Sequence, residues 1–250
     1  MKRTMLLAAA VLTAWPVVTV LAQTAPARKS AAAPAAQAAP AAPAPTGAPA
    51  AAAAAPAAPA TPAAPDLARA QTLVTGVCAA CHGPDGNSVI PVNPRLAGMP
   101  AQYITRQLTH FKSGVRANPV MLGMSASLTP EDMKALGAYF SKQKPATLDA
   151  KDPSLLKAGQ ALYRGGDAAT GLPACAGCHQ PDGSGLPAKY PRLAGQHPEY
   201  QYAQLQAFKT GARGADKEGK DVNGKIMAAI AAKMTDTQMK AVVEYTSALR

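Results

Sequence analysis

Cys78-Ala79-Ala80-Cys81-His82 and Cys175-Ala176-Gly177-Cys178-His179 are two copies of one five-residue pattern, C-x-x-C-H, around which the whole chain is read. The spacing is that of covalent haem attachment. Two thiols three positions apart reach the two vinyl groups of a porphyrin, and the histidine after the second falls beneath the iron as an axial nitrogen. A C-x-x-C alone also suits disulfide exchange, and two such pairs could close one tetrahedral zinc. Neither use explains a histidine at the fifth place of both copies. The two units consume all four cysteines of the chain. The expectation is two covalently bound haem c groups, one held by Cys78, Cys81 and His82, the other by Cys175, Cys178 and His179.

Outward from these units the chain repeats itself. Asn93-Pro94-Arg95-Leu96-Ala97-Gly98 answers Tyr190-Pro191-Arg192-Leu193-Ala194-Gly195 at an offset of 97. Tyr103, Gln107, Leu108, Phe111, Lys112 and Gly114 answer Tyr200, Gln204, Leu205, Phe208, Lys209 and Gly211 in the same register. The second copy then gains nine residues around Gly214 to Val222, a charged stretch that reads as a surface loop. Beyond it, Met121 and Tyr139 answer Met227 and Tyr245.

The repeat is helical. Tyr103, Gln107 and Phe111 recur at helical spacing. Thr129-Pro130-Glu131-Asp132 supplies a capping hydroxyl, a first-turn proline and two first-turn acids, and Thr235-Asp236-Thr237-Gln238 supplies a capping box. Met133, Leu136 and Phe140 then share one face, as do Met239, Val242 and Leu249. No stretch alternates as a strand. The fold class is all-α, with one domain over 66–148 and its repeat over 149–250. Domains this small bury little core, and a covalently held haem supplies the missing apolar centre.

A sixth iron ligand is sought among nine methionines and two remaining histidines. Met121 and Met227 each precede a capping threonine by the same interval, and Asn118-Pro119-Val120 and Asn223-Gly224-Lys225 before them read as loops. A thioether on iron favours the ferrous state. Met124 competes with Met121 in the first copy. His110 and His197 match Ala207 and Pro100 across the repeat, so they read as surface or structural residues.

The first 65 residues are of another kind. Lys2 and Arg3, the apolar run from Met5 to Leu21 and Val20-Leu21-Ala22 read as an export signal over 1–22, cleaved or kept as an anchor. Residues 23–65 are an alanine- and proline-rich linker without the periodicity to build a core. The chain of 250 residues carries a formal charge of +11, but from Asp66 onward 21 basic residues face 14 acidic ones. Four haem propionates would reduce that balance to about +3. With 4% aromatic residues as well, nucleic acid is not an expected partner.

Two tandem C-x-x-C-H domains, each with an N/Y-P-R-L-A-G segment and a methionine before Leu128-Thr129 or Met234-Thr235, resemble the dihaem cytochrome c4 family. Tyr163-Arg164-Gly165-Gly166 with Pro173-Ala174-Cys175, and Ile226-Met227-Ala228 with Ala231-Ala232-Lys233-Met234, extend the likeness. It covers about Asp66 to Arg250; the long linker departs from it. The resemblance implies two class I cytochrome folds packed about an approximate twofold axis, with the haems near the interface. It implies His82 and Met121 on one iron and His179 and Met227 on the other. It also implies that the Pro94 and Pro191 carbonyls accept the second imidazole N–H of each axial histidine.

The function expected is that of a periplasmic electron carrier, not an enzyme, passing single electrons between partners such as a quinol-oxidising complex and a terminal oxidase. A haem-bearing subunit of a dehydrogenase or oxidase complex is the alternative, tethered to the membrane if the leader is kept. A dihaem peroxidase needs an iron that can open, and two methionines in register oppose it.

Overall fold

A computed structural model describes residues 64–216 and 218–250. The expected leader, and all but the last two residues of the alanine- and proline-rich segment, lie outside the described residues. What is described belongs to one compact unit built from the two copies.

In the first copy, Asp66 caps helix α1 (Leu67–Leu73) by accepting from Arg69 N–H at 2.9 Å. The helix passes through one π-helical turn (Val74–Cys78) into α2 (Ala79–His82), so the haem motif rides on a nearly unbroken helix. Then come α3 (Ala101–Lys112), α4 (Pro119–Ser125) and α5 (Pro130–Ser141). The second copy repeats the order as α6 (Leu156–Gly165), α7 (Ala176–His179), α8 (Pro198–Lys209), α9 (Val222–Ala232) and α10 (Asp236–Ala248). Among the described residues there is no strand, only two isolated bridges.

The copies differ where the second departs from the first in length. α6 stops at Gly165, and a turn closed by the Asp167–Leu172 bridge separates it from α7. The described part of the charged insertion is a loop, but it is buried at Gly214 and at Asp221. Asp221 caps α9, accepting from Gly224 N–H at 2.9 Å.

The expected caps form. Thr129 and Asp132 bond reciprocally at the start of α5, and Thr235 and Gln238 at the start of α10. Each copy has its own core: Val74, Ile104, Met133, Leu136 and Phe140 in the first, Leu162, Tyr163, Phe208, Met239 and Val242 in the second. Close crossings hold the helices. A side chain at Gly137 would meet the Ala101 carbonyl of α3 at 2.5 Å, and one at Gly159 the Ala241 carbonyl of α10 at 2.1 Å.

The segments before Met121 and Met227 are a correction. They are helical, not loop-like. Pro119 is the first residue of α4, where its missing N–H costs nothing, and Asn118 caps the helix by accepting from Met121 N–H at 2.9 Å. Asn223, Gly224 and Lys225 lie in the first turns of α9, and Gly224 is small enough to admit the Asp221 carboxylate.

Candidate haem-binding sites

The two motif histidines are held alike. His82 Nδ1 donates to the Pro94 carbonyl at 2.8 Å, and His179 Nδ1 donates to the Pro191 carbonyl at 3.0 Å. These bonds fix the tautomer and ring orientation and leave Nε2 as the nitrogen for iron. Burial pushes the basicity of both imidazoles down, and the proline carbonyls oppose that only in part. The neutral form, the one that can ligate a metal, is favoured.

The residues fit a covalent haem. All four cysteines are free thiols. Burial raises Cys78 and pushes Cys175 up to about 11, opposite to the lowered thiol of a disulfide-exchange site. Among the described residues no three His, Cys, Asp or Glu side chains converge as a metal site, so the cysteines do not gather round a zinc. The backbone turns sharply after each axial histidine: Gly83 has φ 77°, and Gln180 takes the same glycine-like turn at φ 68°. The Tyr163 hydroxyl donates to the Gln180 carbonyl at 2.6 Å and braces that turn. The Tyr190 ring lies 6.0 Å from the His179 ring.

Met227 is half-buried on α9 and packs on the second core together with Cys175 and Leu193. Met121 is half-buried on α4, one turn from the more exposed Met124. His110 and His197 are both buried and face the boundary between the copies. His197 Nε2 donates to the Ser88 carbonyl at 2.7 Å, and His110 Nδ1 stands 4.0 Å from Asp221 Oδ2 without a hydrogen bond.

The boundary itself is organised by two buried arginines. Arg116 donates to Gln107 of its own copy (2.7 Å) and to Tyr200 (2.9 Å) and Gln204 (2.8 Å) of the other. Arg213 donates to Gln204 of its own copy (2.7 Å) and to Tyr103 (3.2 Å) and Gln107 (2.9 Å) of the other. Each guanidinium also lies 4.5 Å over a phenylalanine of its own copy, Phe111 or Phe208. Exchanging the copies leaves this pattern unchanged, which is the expected approximate twofold relation. Further cross-boundary bonds tie the loops that carry the prolines. Gln196 bonds both the N–H and the carbonyl of Arg95, and Arg106 donates to the Ala188 and Lys189 carbonyls.

Comparison with known proteins agrees. The cytochrome c family model matches residues 67–144 and 156–249. Cytochrome c4 of Azotobacter vinelandii is 44% identical over 183 residues, covering 69% of this chain and 84% of that protein. The crystal structure of reduced recombinant cytochrome c4 from Pseudomonas stutzeri superposes with a TM-score of 0.68 at 39% identity, covering 75% of this chain and 100% of that one. The chain belongs to the cytochrome c4 family. It is therefore a dihaem cytochrome c and an electron-transfer protein. A protein named thiosulfate dehydrogenase electron acceptor, from Thiomonas intermedia, is also similar, at 40% identity over 174 residues, covering 68% of this chain and 77% of that protein.

Sequence reasoning found the haem motifs and the proline carbonyls of this cytochrome c4 family member but missed the arginine pair. The signal was present: Arg116 and Arg213 stand at the same offset of 97 as Tyr103 and Tyr200 or Gln107 and Gln204. Those tyrosines and glutamines read as one face of a helix, and the partner of that face is the other copy.

Proposed function

We propose that this protein is a periplasmic carrier that moves single electrons in a respiratory chain through two six-coordinate haems and catalyses no reaction of its own. In this reading Cys78 and Cys81 hold the first haem within domain 66–148, with His82 and Met121 as axial ligands. Cys175 and Cys178 hold the second within domain 149–250, with His179 and Met227. The observation that carries the reading is the pair of buried imidazoles, each locked by Nδ1 on a proline carbonyl so that Nε2 is preset for iron. When bound, haem supplies a one-electron Fe(III)/Fe(II) couple.

The chain's part is to keep the ligands in place while charge changes. The carbonyls of Pro94 and Pro191 hold the rings fixed, so little must reorganise when an electron arrives. Buried Leu136, Phe140, Met239 and Val242 keep the cores dry. Half-burial and repeat register favour Met121 over Met124, and packing with Cys175 supports Met227.

Lys2, Arg3 and the apolar run after them support export, with a leader either cleaved or retained as a tether. Among the described residues no helix is long and apolar enough to cross a membrane. A quinol-oxidising complex as donor and a terminal oxidase as acceptor suit a free carrier. The likeness to a thiosulfate dehydrogenase electron acceptor favours a second reading, in which a dehydrogenase is the donor.

Stopped-flow mixing separates the two. The oxidised protein is mixed with quinol-reduced membranes or with reduced thiosulfate dehydrogenase, and the reduced protein with a terminal oxidase preparation. Rapid reduction by membranes and reoxidation by the oxidase are expected. Reduction by the dehydrogenase alone would select the second reading, and peroxide turnover at enzymatic rates would overturn both.

A further inference from the structure

The peptide group joining Pro94 to Arg95 takes part in two hydrogen bonds at once. Its carbonyl oxygen accepts from His82 Nδ1 at 2.8 Å, and its N–H donates to Gln196 Oε1 of the second copy at 2.8 Å. Gln196 Nε2 donates to the Arg95 carbonyl at 2.9 Å, which fixes the direction in which the amide faces. Gln196 is buried. A continuous chain of donors and acceptors therefore runs from the first motif histidine, through one peptide, to a side chain of the other domain.

The second site lacks this arrangement. In repeat register Met99 stands where Gln196 would be needed, and the Arg192 N–H makes no hydrogen bond among the described residues. Arg95, Met99, Arg192 and Gln196 line one small cavity between the copies, so the two positions face equivalent backbone. The His179–Pro191 bond is also the longer of the two, 3.0 Å against 2.8 Å.

We propose that Gln196 is a positioning residue for the haem of the opposite domain. By accepting the Arg95 N–H it polarises the Pro94 carbonyl and strengthens that carbonyl's hold on the His82 N–H, because bonds in series reinforce one another. A stronger bond leaves the imidazole richer in electrons and favours Fe(III). The first haem's potential is lowered relative to what the same ligands give at the second, and domain docking is what lowers it. The inference rests on the assignment of His82 as an axial ligand.

Two substitutions in the dihaem protein test it. Gln196→Met copies the second site into the first, and Met99→Gln copies the first into the second. Each haem's potential is read by spectroelectrochemical titration, and each axial imidazole N–H resonance by proton NMR of the reduced protein. Gln196→Met should raise the first haem's potential, move the His82 N–H resonance upfield and leave the second haem unchanged. Met99→Gln should lower the second haem's potential and move the His179 N–H resonance downfield. Unchanged first-haem values in folded Gln196→Met, or equal shifts at both haems, would overturn the proposal. If that variant does not fold, unchanged second-haem values in Met99→Gln overturn it alone. Absence of an axial histidine at the first haem of the unsubstituted protein would bring down the ligand assignment, and the relay with it, before any substitution is made.

Discussion

Removing the guanidinium of Arg116 should loosen the two domains by an amount that the bonding pattern predicts. In Arg116→Met the bonds to Tyr200 and Gln204 are lost. Hydrogen bonds to a charged group contribute about 1.5–3 kcal/mol each, so the gross loss across the boundary is about 3–6 kcal/mol. Two terms offset it. The Gln204 and Gln107 oxygens keep Arg213 as a donor, so neither is stranded. A buried cation with no carboxylate in hydrogen-bond contact among the described residues, beside a second cation, is also costly to keep. A net cost of about 2 kcal/mol follows, or roughly a 30-fold larger open population. The double variant Arg116→Met/Arg213→Met behaves differently. It strands both glutamine oxygens, at about 1 kcal/mol or more each, and gains no second relief of repulsion. It should exceed the sum of the singles by about 2 kcal/mol. The assay is protease cleavage of the connecting stretch between α5 and α6, which tracks the open population when reclosing is fast. That stretch is tied to the boundary when closed, since Arg95 Nη1 donates both to the Ala146 carbonyl at 3.0 Å and to the Gly195 carbonyl of the second copy at 3.3 Å. Singles that leave the cleavage rate unchanged, or a double equal to the product of the singles, would refute the shared-acceptor reasoning.

Met227→Ala should abolish the long-wavelength band of methionine–iron bonding at one haem and lower that haem's potential, with the other nearly unchanged; Met121→Ala should do the same at the first haem, and Met124→Ala should do neither. Domain docking should weaken as pH falls, read by the same cleavage assay. Burial pushes the pKa of His110 down, reinforced by Arg106, Arg213 and Arg116 and opposed by Asp221. Burial also lowers His197, with the Ser88 carbonyl opposing. The unfolded or open form thus binds more protons, so stability is complete above about pH 6.5 and is lost progressively below it. His110→Gln should flatten that slope.

The chain's chemistry was legible in its order of residues. C-x-x-C-H places two thiols and an imidazole within one helical turn, so local geometry alone brings Cys78, Cys81 and His82 together. The caps at Thr129 and Thr235 are equally local, each a contact over three residues. The repeat register paired Met121 with Met227 without any coordinates. Local reading failed where a residue serves two roles. Pro119 and Asn223-Gly224 looked like chain breaks, but a proline at the first helical position and a glycine beside a capping carboxylate both begin helices. Only the tertiary structure decided how one copy meets the other. Arg116 and Tyr200 are 84 residues apart, Arg213 and Tyr103 are 110 apart, and Gln196 lies 101 residues from Arg95. No periodicity in the sequence encodes those distances. They follow from the angle at which two folded surfaces dock, and that angle determines which buried donors find acceptors and which histidine is tied to the opposite domain.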